Sequence, residues 1–167
     1  MKCEKSRHRE KLNSGSLQCQ TYPPLRILMV SDDSCLCELN AEVLRRHSYE
    51  VNTARDGETG WEELQTNLYH LMITENNLPR LTGVGLLKRL RSACMPLPVI
   101  IVTGILPTWE SPQYSWLLKA TKLLKPYGFD ELLGLVKKVL DDTARARAKA
   151  ASPPAWQISP QANHFRL

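Results

Sequence analysis

The sequence predicts an α/β fold: a doubly wound five-stranded parallel sheet of strand order 2-1-3-4-5, with helices on both faces. Three observations predict it. Five short apolar runs alternate with segments of helical periodicity between residues 25 and 141, the pattern of a parallel sheet covered on both sides. Right-handed crossovers leave few arrangements of such units, and 2-1-3-4-5 is the common one at this length. Finally, each central run ends in polar residues: Ser31-Asp32-Asp33, Glu75-Asn76-Asn77, Thr103-Gly104 and Lys125-Pro126. Open parallel sheets do their chemistry at the carboxyl ends of their strands.

Leu25 to Val30 is a continuous apolar run, read as a buried strand. Asp33 or Ser34 caps the helix that follows, whose apolar stripe is Leu36, Leu39, Val43, Leu44 and His47. Tyr49 to Ala54 forms a second strand, Asp56-Gly57 a turn, and Glu58 to Asn67 a helix burying Trp61 and Leu64. His70 to Thr74 is the third strand. A loop rich in Asn, Pro and Gly leads from it into a helix over Val84 to Ser92. Val99 to Thr103 is almost wholly β-branched and reads as the fourth strand. Pro107 and Pro112 permit only a short or broken helix between Gly104 and Trp116. Lys122 to Leu124 is a brief fifth strand, and Phe129 to Asp141 an amphipathic helix with Leu132, Leu133, Val136, Val139 and Leu140 on its apolar side.

Charge and composition narrow the function. The net charge of +5 lies in the ends: residues 26–140 hold thirteen basic and thirteen acidic side chains, while residues 1–25 and 141–167 carry the excess. A neutral body argues against a specific nucleic-acid reader. No apolar run approaches the ~20 residues that span a bilayer. The basic, polar start has no secretory character, and the five cysteines make no paired or zinc-type pattern; together these predict a reduced, cytoplasmic protein. Residues 1–24 read as a disordered basic tail, 25–141 as the domain, and 142–167 as a helix extension followed by a Pro-rich flexible tail carrying Trp156, Ile158 and Phe165. His47 reads as a helix-end cap and His70 as a strand-edge residue.

The ordered set of strand-end motifs resembles the receiver domain of two-component response regulators (CheY-like) over residues 25 to 141. The motifs are Ser31-Asp32-Asp33, then Glu75-Asn76-Asn77-Leu78-Pro79-Arg80-Leu81-Thr82-Gly83, then Val102-Thr103-Gly104, then Lys125-Pro126-Tyr127. In that family the acid after the third strand is an Asp that takes a phosphoryl group from a histidine kinase. Two acids after the first strand help hold Mg²⁺, and the hydroxyl and lysine after the fourth and fifth contact phosphoryl oxygens. The resemblance therefore places the phosphoacceptor position at Glu75 and the acidic, metal-binding pocket at Ser31, Asp32, Asp33, Glu75 and Asn77, with Asn77 acting through its carbonyl. Thr103 and Lys125 become the phosphoryl-contact positions. Trp109, Tyr114, Trp116 and Lys122 fall on the face where family members meet partners. Lys122 replaces the aromatic often found three residues before the lysine.

This chain departs from the pattern at two acids: Ser31 stands where a carboxylate is usual, and Glu75 where Asp is usual. A reactive carboxylate displaced by near 1 Å costs ~10²-fold in rate, and loss of a charged ligand weakens Mg²⁺ binding. The longer Glu75 side chain is expected to pair with Lys125. The implied function is two-component (phosphorelay) signalling by a stand-alone receiver-like module. It acts through contacts with a histidine kinase or other signalling protein, without ordinary aspartyl phosphorylation, without catalysis, and with at most a weak Mg²⁺ site. Two alternatives share the fold: a working phosphoacceptor receiver, and a flavin-binding flavodoxin-like protein, which the acidic first loop disfavours.

Overall fold

The computed structural model describes residues 23–104 and 120–151. The expected partner-face residues Trp109, Tyr114 and Trp116, the broken helix around them, and the aromatic tail residues Trp156, Ile158 and Phe165 lie outside those residues. Five strands form one sheet: β1 (Arg26–Val30), β2 (Glu50–Ala54), β3 (Leu71–Glu75), β4 (Val99–Thr103) and β5 (Thr121–Leu124). Their order is β2-β1-β3-β4-β5, and all neighbours are parallel. Four helices are described: α1 (Ser34–Arg46), α2 (Gly57–Thr66), α3 (Gly83–Ser92) and α4 (Phe129–Ala151).

Alternation along the strands divides the core in two, because successive side chains point to opposite faces. Ile27, Met29, Leu71, Ile73, Ile100, Val102 and Leu123 pack under α1 and α4 with Cys37, Leu44, Leu132 and Val136. Leu28, Val30, Met72, Val99 and Ile101 pack under α2 and α3 with Leu64, Leu86, Leu87 and Leu90. The phase of this alternation also aims the strand ends. Val30 pairs with Thr74, so Ser31 follows opposite Glu75. Glu75 pairs with Val102, and Val102 with Leu123. Ser31, Glu75 and Lys125 therefore continue the rows that face α1 and α4.

Several local expectations shift. Leu39 does not join the core: it is 52% exposed, because the inward stripe of α1 runs through Cys37, Asn40, Ala41 and Leu44. Trp61 is half-buried and packs on the rim of the α2–α3 cluster. Asp56 is more than a turn residue, for its carboxylate caps α2, whose first residue is Gly57. Glu75 is the last residue of β3 itself, one position beyond the predicted strand end. His47 is the C-cap of α1. His70 accepts the Arg26 N–H at its Nδ1 (3.0 Å) and so extends the pairing of β1 with β3. Cys35 is exposed and Cys37 buried, as their opposite directions on α1 require. The helix of the last element runs to Ala151, through the stretch predicted as its extension. No described helix is long and apolar enough to cross a membrane.

Gly57 marks a tight approach. A Cβ there would stand 2.0 Å from the Leu81 carbonyl oxygen and 2.8 Å from its carbon. The obstacle is backbone, so it cannot swing aside. Gly57→Ala is expected to lower the urea unfolding midpoint by the equivalent of about 1–3 kcal/mol, the usual cost of overpacking. Gly134, exposed within α4, meets nothing within 4 Å. Gly134→Ala is expected to raise the midpoint instead, by the ~0.5–1 kcal/mol by which Ala outranks Gly in a helix.

Candidate functional site

Glu75 sits at the carboxyl end of an internal strand with its side chain 15% exposed. Both of its oxygens are engaged. The Ser31 hydroxyl donates to Oε1 at 2.6 Å, and the Lys125 ammonium lies 2.8 Å from Oε2. Three strand ends thus meet on one carboxylate: Ser31 just past β1, Glu75 closing β3, and Lys125 just past β5. Ser31 is itself buried and is held by the loop it opens, since its Oγ accepts the Asp33 N–H at 3.2 Å. Lys125 is 31% exposed, and its backbone N–H donates to the Thr103 carbonyl at 2.9 Å. The Lys125–Pro126 peptide bond is cis.

The remaining predicted residues surround this centre in different roles. Thr103 is buried at the end of β4, one residue beyond the position opposite Glu75. Asp33 is exposed and turns outward to cap α1, its Oδ1 accepting the Leu36 N–H at 3.0 Å. That removes it from the pocket, and the physical reason is the orphan N–H groups at the helix start. Asp32 and Asn77 are exposed on the loops above. Lys122 is half-buried on β5. Beneath the carboxylate, burial, Glu38 and Glu75 push the Cys37 thiol up to about 11, with Asp33 adding to the shift and Arg45 opposing it. Cys37 therefore stays a protonated core side chain.

These donors do not fit a resident Mg²⁺. The ion asks for a near-octahedral set of hard oxygens with carboxylates free to face it. Here Glu75 is already engaged by a hydroxyl and an ammonium and Asp33 is committed to a helix cap, which leaves Asp32 as the remaining acid of the expected pocket. Among the described residues, no group of three or more His, Cys, Asp or Glu side chains is placed to hold a metal ion.

The loop that follows Glu75 is braced by residues that sequence reasoning missed. Arg80 takes a left-handed backbone conformation (φ 63°), which costs a non-glycine residue about 1–2 kcal/mol. Its guanidinium pairs with Asp56. The same carboxylate accepts the N–H groups of Glu58 and Thr59, both at 2.9 Å. Glu58 in turn grips Arg89 of α3 through two hydrogen bonds of 2.7 and 2.8 Å. At the loop's far end, Gly83 lies so close to β3 that a Cβ would stand 2.1 Å from the Glu75 carbonyl oxygen. The one sequence signal for this brace was Asp56-Gly57, which as a dipeptide reads only as a turn.

Residues 27–137 match the model of the response regulator receiver domain, and the chain belongs to that family. It is 32% identical over 113 residues to the transcriptional regulatory protein DltR of Streptococcus agalactiae (strain NEM316), covering 68% of this chain and 50% of that protein. It is 25% identical over 138 residues to the transcriptional regulatory protein ZraR of Escherichia coli K12, covering 83% of this chain and 31% of that one. The chain thus spans half the length, or less, of these relatives. Among solved structures it resembles a CheY-like receiver domain protein of Methanospirillum hungatei (TM-score 0.67, 26% identity, 74% of this chain and 98% of that one). It also resembles the response regulator TrrA of Thermotoga maritima, solved with Mg²⁺ and BeF (TM-score 0.61, 30% identity, 69% and 98%).

The hydrogen bond from Arg80 holds the Asp56 carboxyl below the usual carboxylate range, against the opposing effect of burial, with Thr59 helping to lower it. A depressed folded pKa contributes stability that is complete above the unfolded value, about 3.9, and lost as the pH falls through the folded value. Asp56→Asn keeps a competent helix cap but loses the charge. The expected result is a lower urea midpoint than wild type at neutral pH. The gap should stay constant down to about pH 4 and close at more acidic pH.

Proposed function

We propose that this receiver works in two-component signalling through contacts with a histidine kinase or another signalling protein, in a conformation held by Glu75, and is not switched by ordinary aspartyl phosphorylation. One observation carries the reading: both oxygens of Glu75 are taken, by Ser31 at 2.6 Å and Lys125 at 2.8 Å. A carboxylate attacks phosphorus only from a well-placed oxygen and with positive charge gathered on the transferring group. Here the lysine that would supply such charge neutralises the acceptor instead. The same pair sets a carboxylate, matched by its lysine, beside Thr103 and so joins the strand ends without a phosphoryl group. The value of the pair lies in the conformation it holds, since desolvation offsets much of its attraction.

The neutral body over residues 26–140 supports protein contacts as the output of this domain, in the cytoplasm where two-component partners reside. The names of DltR and ZraR describe transcriptional regulation by those proteins; it is not proposed for the domain described here.

Incubation with acetyl phosphate and Mg²⁺, followed by intact-mass measurement, tests the reading. Wild type is expected to form no phosphoryl adduct. Glu75→Asp should gain Mg²⁺-dependent modification, and Ser31→Asp/Glu75→Asp should gain more, approaching the ~10²-fold that near 1 Å of misplacement costs. An adduct mapped to Glu75 in the wild-type protein would instead establish a working phosphoacceptor. No gain in Glu75→Asp together with gain in the double variant would identify Ser31 as the main obstacle.

A further inference from the structure

A cavity of about 490 Å³ opens between the start of α1 and the loop that joins β5 to α4. Its size is in the range of small-molecule sites. The walls are Leu36, Pro126 and Phe129, with Lys125 at one side and Asn40 and Tyr127 also lining it. Phe129 stands 46% exposed, an aromatic ring partly in water beside an apolar hollow.

The polar groups here are incomplete. Asn40 is 3% exposed, inside a helix face that otherwise buries Cys37, Ala41 and Leu44. Its amide donates to the Tyr127 hydroxyl at 2.9 Å, but its carbonyl Oδ1, fully shielded, has no hydrogen-bond partner among the described residues. Buried polar atoms are ordinarily paired, and an orphan calls for an explanation. Rotating the amide exchanges which of its two ends meets Tyr127 but still leaves the other over. The Tyr127 hydroxyl accepts from Asn40, and its own proton remains for a further acceptor. Burial raises the Tyr127 pKa above its ordinary value, outweighing Asn40 and Lys125, so that proton is held at neutral pH. Tyr127 therefore brings a donor to the edge of an apolar hollow, and the shielded Asn40 amide fixes the hydroxyl that carries it. The cation that lines it, Lys125, is already matched by Glu75 at 2.8 Å, so the hollow does not favour an anion.

We infer that this cavity binds a small uncharged molecule with an apolar, ring-sized body and one carboxamide or hydroxyl group, the body against Leu36, Pro126 and Phe129 and the polar group on the Tyr127 hydroxyl that Asn40 holds in place. The oxygen of a carboxamide or hydroxyl accepts the Tyr127 proton. The ligand would also touch Lys125, whose ammonium holds Glu75. Occupancy is thereby coupled to the carboxylate site without any phosphoryl chemistry, and the inference stands whether or not Glu75 accepts phosphate.

Benzamide is the probe, with toluene as the control that lacks the polar group. Both are titrated into the ¹⁵N-labelled full chain and followed by ¹H–¹⁵N NMR. Benzamide is expected to shift the backbone amides of Leu36, Tyr127 and Phe129 and the side-chain amide of Asn40, saturably and at least fivefold more tightly than toluene. Tyr127→Phe keeps the ring and removes the hydroxyl. It is expected to weaken benzamide at least fivefold and leave toluene unchanged, as is Asn40→Ala. Should Asn40→Ala lose its dispersed spectrum, Tyr127→Phe carries the test alone. Absence of saturable shifts at these residues would overturn the inference. So would equal affinity for benzamide and toluene in wild type and Tyr127→Phe, which is the behaviour of a merely greasy surface.

Discussion

A carboxylate at the end of a buried internal strand must be compensated, and in this protein the compensation is entirely internal. Glu75 ends a strand whose other four residues are buried, so its charge stands where water is scarce and uncompensated charge is costly. Ser31 supplies a hydrogen bond from the end of β1, which adjoins β3, and Lys125 a counter-charge from the end of β5, two places away on the other side. The pair ties β1, β3 and β5 together at the edge of the sheet where receivers gather their functional groups. The pocket, the posture of the β5–α4 loop and the reading of the function all follow from this arrangement.

The two departures from the family pattern make sense together. Aspartate in place of Glu75 would reach less far toward Lys125. A carboxylate in place of Ser31 would stand about a hydrogen-bond length from Glu75, and two adjacent like charges would repel unless a cation intervened. A hydroxyl removes the repulsion and adds a donor. Serine and glutamate thus form a self-consistent solution in which the lysine does the neutralising, and the two substitutions act as one unit.

The braces around the β3–α3 loop serve the same end. Glu75 is only as fixed as the chain that leaves it. The close approach of Gly83 to the Glu75 carbonyl, the seat of Leu81 over Gly57, and the Asp56–Arg80 pair hold the loop against α2 and α3. Arg80 keeps an unfavourable backbone conformation within this frame, which fits strain sustained by surrounding contacts near a functional site.

Much of this was legible in the chain. Short apolar runs alternating with helical stripes pointed to the five strands and narrowed their order to a few, because parallel strands need crossovers and crossovers have one hand. The polar residues that close the central runs let the strand-end motifs be read as one rim, on which Asp32, Glu75, Thr103 and Lys125 were expected to converge. What needed the tertiary structure was every contact between residues distant in sequence. Whether Asp33 turns to the pocket or to its helix depends on competition between two hydrogen-bonding positions, and the nearby N–H groups of α1 won. Leu39 fell outside the core because the exact rotation of α1 on the sheet selects Cys37 and Ala41 instead. The Asp56–Arg80 pair and the unsatisfied Asn40 beside Tyr127 join residues 24 and 87 positions apart. Local pattern records which side chains face inward; only the packed chain determines which of them meet.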